Sequence, residues 1–162
     1  MIHEAIEDFA AALPRMGALA GLDLGTKTIG IAVSDTARMV ASPLTTIRRT
    51  RFTADAAELD RLLESRAIVG LVVGLPRNMD GSEGPRAQST RAFARNLNSR
   101  APLAIAFWDE RLSTVAAERA LLEADTTRKR RAEVIDHVAA SYILQGALDR
   151  LHRIAPQTGG KT

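Results

Sequence analysis

The sequence predicts an α/β sandwich around a mixed five-stranded sheet, with the first three strands antiparallel and the last two parallel. Segments 18–24 and 28–34 have strand character and are separated only by the turn 25–27, which predicts a hairpin. The apolar strand segments 68–76 and 102–110 each follow a helical segment, and this alternation is typical of parallel strands reached by crossovers. The 162 residues suffice for one such domain without disulfide bonds, and the chain has no cysteine.

The N-terminal elements are a helix and the third strand of the sheet. Apolar residues at helical spacing over 2–13, followed by Pro14, predict a helix in front of the domain. The third strand is predicted over 39–47. Pro43 lacks a backbone N–H, so this strand is expected at an edge of the sheet.

The middle of the chain predicts a helix, a buried strand, a loop and a second helix. The first helix covers 53–66 with Thr53 as its N-cap. The strand 68–76 is apolar on both faces, as expected when helices cover it on each side. Residues 77–84 are rich in Gly, Asn, Asp and Ser and predict a loop, and a helix over 85–99 begins with a proline.

Two further helices follow the last strand. The first is capped by Ser113 or Thr114 and ends near Glu123, a basic connection follows, and the last helix covers 131–152. The tail 153–162 is predicted to be disordered. The chain is therefore divided into three regions: a helical extension, the main domain and a tail, covering 1–14, 15–152 and 153–162.

Composition indicates a cytoplasmic protein with a weak preference for an anionic partner. Glu4, Glu7 and Asp8 argue against a signal peptide, and no apolar run approaches the roughly 20 residues of a membrane span. The net charge of +3 is small, but most of the basic residues are arginine, which pairs well with phosphate. Aromatic residues make up 4% of the chain and offer little for base stacking.

Three carboxylates are candidates for a common site. Asp23 interrupts an apolar strand near its C-terminal end, on the opposite face from its leucine neighbours. Asp109 and Glu110 follow the last strand and point in opposite directions if the pleat persists, so only one can share the face of Asp23. Asp136 lies on the apolar stripe of the last helix. Carboxylates gathered at one sheet edge would bind a hard cation such as Mg²⁺ or Mn²⁺.

Each of these residues also has a structural interpretation. Asp23 can accept hydrogen bonds from the turn that follows it. Glu110 can pair on the surface with Arg111 or Arg119. Asp136 can interact with the N-terminal turn of its helix and do nothing more.

Four sequence blocks, in this order and spanning most of the chain, resemble the YqgF family, also called RuvX: "GLDLGTKTIGIAVSD", "VVGLPRNMDGSEG", "FWDERLSTVAAERAL" and "EVIDHVAASYILQGALD". The resemblance implies a ribonuclease H-like three-layer sandwich. It also implies a nuclease that matures the 5′ end of pre-16S ribosomal RNA, or a Holliday junction resolvase.

The resemblance assigns the acidic site of the family to Asp23, Glu110 and Asp136, which would hold Mg²⁺ or Mn²⁺. Basic residues near this site are expected to position the nucleic-acid backbone, namely Lys27, Arg77, Arg111, Lys129, Arg130 and Arg131. The chain departs from the family at Thr28, where a second basic residue is usual.

The alternatives differ in substrate or in class. The nuclease would act on precursor rRNA, alone or within ribosomal particles, as a monomer or a homodimer. A resolvase acting on branched DNA would need two active sites and hence a dimer. The first hairpin also looks like the phosphate-binding hairpin of actin-like ATPases, but those enzymes need two such domains. A non-catalytic binding module in ribosome assembly is the remaining alternative.

Overall fold

The computed structural model describes residues 1–112 and 128–158, and within its last helix the side chains of residues 137–154. The strands, in chain order β1 to β6, are Ile2–His3, Leu19–Leu24, Thr28–Ser34, Ala41–Arg48, Gly70–Leu75 and Ala104–Asp109. The helices, α1 to α4, are Ile6–Ala12, Phe52–Ser65, Pro85–Arg100 and Arg128–Thr158. A short 3₁₀ turn, Glu110–Leu112, follows β6.

The strands form one mixed sheet in the order β1-β6-β5-β2-β3-β4. β1, β6, β5 and β2 run parallel to one another, whereas β3 is antiparallel to both β2 and β4. The sheet therefore has the predicted three antiparallel strands followed by two parallel additions. β4 forms one edge, as expected from Pro43 within it.

Two apolar layers lie on opposite sides of the sheet. One contains residues of α2 and α3, including Leu59, Phe93 and Leu97. The other contains residues of α1 and α4, including Phe9 and Ile143. These layers give the three-layer sandwich, and both faces of β5 are buried as its unbroken apolar sequence predicts. Among the described residues, no helix has the length and apolar character needed to cross a membrane.

The prediction of five strands is wrong by one, because Ile2 and His3 form β1 rather than the start of a helix. These residues pair with Ile105 and Ala106 of β6. Their helical spacing with later apolar residues is real, and α1 does begin at Ile6. The open edge of β6 is a tertiary feature that local periodicity cannot reveal, and it captures the first residues as a strand.

Two of the predicted helices also differ at their ends. α2 begins at Phe52, so the N-cap is Arg51 rather than Thr53, with no side-chain capping bond. Instead the buried Asp55 reaches back to accept a hydrogen bond from the backbone N–H of Thr50 at 3.1 Å. α4 is longer than predicted at both ends, and it includes the described part of the predicted tail. The helix predicted to end near Glu123 lies outside the described residues.

The first 14 residues contribute to the core of the domain. Phe9 is fully buried in the layer formed with α4, and the backbone N–H of Ile105 donates to the carbonyl of Met1 at 3.0 Å. Arg91 of α3 forms an ion pair with Glu4 at 2.6 Å. The N-terminal segment thus covers both the edge and one face of the sheet.

Replacing Phe9 with alanine is therefore expected to destabilise the whole domain. Large-to-small substitution at a fully buried phenylalanine costs about 3–5 kcal/mol, which would lower the Tm by roughly 6–20 °C for a chain of this size. Thermal unfolding measures the effect. Asp8→Ala, at an exposed position of the same helix, is the control and should change the Tm little. A Phe9→Ala protein with the wild-type Tm would show that the segment is dispensable.

Candidate active site at the end of the central strand

Asp23 is a buried carboxylate on the α4 side of the sheet. Only 2% of the surface of this residue is exposed. Leu22 and Leu24 on either side of it belong to the opposite core layer, so the pleat turns Asp23 towards α4. Burial of an ionised carboxylate is costly unless other groups compensate for it. Its surroundings on this face therefore decide what Asp23 can do.

Glycines occupy both positions beside Asp23. Gly30 of β3 is its pairing partner. On the other side, Leu22 pairs with Val73, so Gly74 of β5 is the next position along. Because neither glycine has a side chain, the two neighbouring strands place no side chain directly beside the carboxylate of Asp23.

Glu110 occupies the space above Gly74. A Cβ atom built on Gly74 would lie 2.8 Å from Oε1 of Glu110 and 2.5 Å from Cδ1 of Ile143 of α4. The carboxylate of Glu110 therefore lies on the α4 face, over the strand next to Asp23. Two carboxylates distant in sequence share one side of the sheet at its C-terminal edge, where open α/β sheets bind ligands.

Asp109 lies on the other face, as the pleat predicts. Phe107, two residues earlier in β6 and on the same face, packs against the layer of α2 and α3. The carboxylate of Asp109 accepts hydrogen bonds from Arg111, the shortest being 2.6 Å from Nη2. These bonds hold the pKa of Asp109 below its ordinary value. Asp109 is therefore a stable anion paired with Arg111, and Glu110 is the acid that shares the face of Asp23.

The N-terminal part of α4 lies at the same end of the sheet. His137 is hydrogen-bonded through Nδ1 to Oγ1 of Thr46 at 2.9 Å. Thr46 pairs with Gly30, the partner of Asp23. Asp136 precedes His137 in α4, and its side chain lies outside the described residues. The fold thus brings the backbone of all three predicted acidic positions to one end of the sheet and places the side chains of Asp23 and Glu110 on one face.

The contact between α4 and β2 is tight. A Cβ atom on Gly21 would lie 2.7 Å from Cβ of Leu144 and 3.0 Å from the carbonyl oxygen of Ala140. This close approach of helix and strand is possible because position 21 is glycine. It fixes α4 over the strand that carries Asp23.

The donor chemistry of Asp23 and Glu110 fits a hard divalent cation. Both offer oxygen ligands only, as Mg²⁺ and Mn²⁺ prefer. Within residues 1–112 and the described part of α4, no group of three His, Cys, Asp or Glu side chains forms a metal-binding cluster. The side chain of Asp136, the third carboxylate of the predicted set, lies outside that part of the chain.

The predicted basic residues differ in their surroundings. Lys27 is exposed in the turn after β2. Nη2 of Arg77 is 3.6 Å from Oε2 of Glu83. Arg111 is about one-third exposed and is paired with Asp109. The side chains of the remaining predicted residues, Lys129, Arg130 and Arg131, lie outside the described part of α4.

The role of Gly74 was not predicted from the sequence. A glycine inside an apolar strand indicates a close approach by another group, and the sequence "VVGLP" carried that signal. The identity of the approaching group, Glu110, depends on the pairing of β5 with β6 and could not be read from spacing alone.

Sequence comparisons show high similarity to curated bacterial proteins. The profile of the family described as "RuvX: Holliday junction resolvase" matches residues 17–150. A protein of Cereibacter sphaeroides strain KD131 is 72% identical over 159 residues, covering 98% of this chain and 99% of its own. A protein of Paracoccus denitrificans is 78% identical over 151 residues, covering 93% of this chain and 96% of its own. Both relatives are named "Putative pre-16S rRNA nuclease".

Solved structures share the fold at low sequence identity. The RuvC protein of T. thermophilus, in complex with a Holliday junction substrate, has a TM-score of 0.52 at 13% identity, covering 83% of this chain and 96% of that chain. The yeast mitochondrial Holliday junction resolvase Ydc2 has a TM-score of 0.50 at 9% identity, covering 95% and 88%. These similarities establish the architecture expected from the sequence.

The geometry predicts that Gly74→Ala displaces the carboxylate of Glu110. If that carboxylate is a metal ligand, Mn²⁺ affinity should fall by about 10- to 100-fold, the range for residues that orient metal ligands. Mn²⁺ titration can be followed by the fluorescence of Trp108, the only tryptophan, which pairs with Gly74 across the sheet.

The matched control is Gly70→Ala on the same strand. A Cβ at Gly70 would also be crowded, 2.7 Å from Cδ2 of Leu13, but it is remote from Glu110. Gly70→Ala should therefore lose stability and retain Mn²⁺ affinity. If Gly74→Ala binds Mn²⁺ as tightly as the wild type does, Glu110 is not a ligand.

Proposed function

The chain belongs to the RuvX family, and from this premise we propose that it is a metal-dependent endonuclease that hydrolyses phosphodiester bonds during maturation of the 5′ end of pre-16S rRNA. The names of relatives more than 70% identical over nearly the whole chain support this substrate. A cytoplasmic location follows from the proposed role in ribosome production.

One observation carries the proposal of hydrolysis: Glu110 reaches over Gly74 onto the face of the sheet where Asp23 is buried. Two carboxylates at a phosphate-binding surface would repel the substrate without a cation. A pure binding module has no use for this arrangement, whereas a metal-dependent hydrolase needs it. The non-catalytic alternative is therefore the weaker one.

Asp23, Glu110 and Asp136 are proposed as the ligands of Mg²⁺ or Mn²⁺. An ion held by these residues would supply activation of the attacking water and stabilisation of charge on the leaving oxygen. The protein residues supply the rest. Burial of Asp23 and the packing of α4 against β2 fix the ligand positions before substrate arrives, and preorganised charge is the main source of such catalysis.

Backbone contacts would hold the substrate in register. Lys27 extends from the turn that follows Asp23, and Arg77 begins the loop that follows β5. Arg111 lies one residue after Glu110, where its pairing with Asp109 orients the guanidinium group. The remaining basic candidates, Lys129, Arg130 and Arg131, belong to the first turn of α4.

Resolution of Holliday junctions is the second candidate, favoured by the description of the matching family. Cutting two strands symmetrically requires two active sites, and therefore a homodimer. Sedimentation of the full chain with a four-way DNA junction tests this. A dimer that makes paired cuts would support the resolvase, and a strict monomer would exclude it.

Neutralising the acidic residues one at a time is expected to abolish hydrolysis. Asp23→Asn, Glu110→Gln and Asp136→Asn should each reduce cleavage of a precursor 16S transcript by about 10²–10³-fold or more, the range for removing one group that stabilises transition-state charge. Chelation of divalent ions should have the same effect. The assay is the appearance of the mature 5′ end with Mg²⁺ or Mn²⁺, on free RNA and on ribosomal particles.

Asp149→Asn is the matched control for this series. Asp149 is an exposed carboxylate further along α4, where it accepts a hydrogen bond from Gln145 at 3.0 Å. Its loss removes one charge and should leave cleavage unchanged. If all three acidic-site variants process the transcript at the wild-type rate, these carboxylates are not the catalytic groups. If the wild-type protein cleaves no transcript with either ion, the hydrolytic proposal fails and the binding module becomes the better explanation.

A further inference from the structure

A groove lies at the end of β2 on the side of the sheet that α3 covers. We call it the turn groove: a cavity of about 210 Å³ between the turn after β2 and the first turns of α3. None of its described lining residues is acidic. They are Leu24, Gly25, Thr26, Arg49, Pro85, Arg86, Ser89, Thr90 and Phe93.

The two arginines give the turn groove its character. Nη1 of Arg49 donates to the carbonyl of Gly25 at 2.6 Å, and its guanidinium carbon lies 5.4 Å from the centre of the Phe93 ring. Arg86 lines the groove and is exposed. Among the described residues, neither arginine forms an ion pair. Each therefore retains guanidinium donors for a ligand.

The turn groove and the acidic site share one strand end. Leu24 and Gly25 of the groove directly follow Asp23 in the chain, but Leu24 faces the layer that contains α3. Three hydrogen bonds hold the turn after β2. Besides the bond from Nη1 of Arg49 to Gly25, the backbone N–H of Arg49 donates to the carbonyl of Lys27 at 2.8 Å, and the backbone N–H of Gly25 donates to the carbonyl of Thr28 at 2.9 Å. A nucleic-acid backbone that crosses the end of β2 could contact both the acidic site and the turn groove.

We propose that the turn groove binds a backbone phosphate of the nucleic-acid substrate, away from the bond that is cut. This inference rests on the proposed nuclease function and extends it. Guanidinium groups match phosphate oxygens in pairs, and the Ser89 and Thr26 hydroxyls add uncharged donors at the same surface. An exposed site of this kind gains most from a polyanion, because binding releases the counterions condensed on it.

Arg86→Gln tests the proposal. The Arg86 side chain is exposed and forms no ion pair among the described residues, so its replacement is not expected to unfold the protein. A labelled RNA hairpin is titrated with the full-length protein over a range of salt concentrations, with EDTA present so that no cleavage occurs. We expect weaker binding and a slope of log affinity against log salt that is smaller by about 1, as for one lost phosphate contact. Mn²⁺ binding followed by Trp108 should remain unchanged.

The matched control is Arg95→Gln. Arg95 is exposed on the same helix, nine residues away and hence on the opposite side of it. This variant removes the same charge and should bind RNA as the wild type does. If Arg86→Gln keeps the wild-type salt slope, or if Arg95→Gln lowers it equally, the turn groove is not a phosphate site, although the nuclease proposal stands.

Two further outcomes overturn the inference. If a 5′ mononucleotide displaces the hairpin from the wild type and fails to bind Arg86→Gln, the groove belongs to a free nucleotide rather than to the polymer. If the wild-type protein does not bind RNA at all, the turn groove and the proposed nuclease function fail together. If the wild type binds RNA and Arg86→Gln binds it equally well, only the turn-groove proposal fails and the nuclease proposal stands.

Discussion

Burial of the Asp23 carboxylate is the constraint on which the rest of the site depends. An acid that is 2% exposed, inside an apolar sheet, must have its charge compensated. The strands beside it carry glycine at the same level, and the carboxylate of Glu110 lies in the space that one of these glycines leaves. The sheet is thus shaped around a concentration of negative charge, which is costly for folding and useful for binding a cation.

Contacts away from the acidic site fix the positions of the elements that carry it. Gly21 lets α4 lie directly on β2, and the hydrogen bond between His137 and Thr46 links that helix to β4. On the opposite side, Arg49 braces the turn after Asp23 and gives the same sheet edge a positive flank. The acidic site and the basic turn groove therefore lie on opposite sides of the end of β2. This arrangement suits a nucleic-acid backbone that has a metal ion at one of its phosphodiester linkages.

The sequence predicted the parts of this arrangement that follow from local pattern. The pleat placed Asp23 away from Leu22 and Leu24 and separated Glu110 from Asp109, and the apolar run of β5 indicated a doubly covered strand. It could not predict β1, because an open strand edge exists only in the folded sheet. It also could not predict that Gly74 makes room for Glu110 or that Asp109 pairs with Arg111, since both depend on side-chain placement.

The most direct test of the central claim is the thermal stability of the metal-free protein before and after addition of Mn²⁺. A ligand that binds only the folded state adds about 2.7 kcal/mol at a hundredfold excess over its Kd. If Asp23 and Glu110 hold the metal ion, Mn²⁺ raises the Tm of the wild-type protein and does not raise the Tm of Asp23→Asn or Glu110→Gln. An equal rise in all three proteins, or no rise in the wild type, would show that these carboxylates do not bind a metal ion.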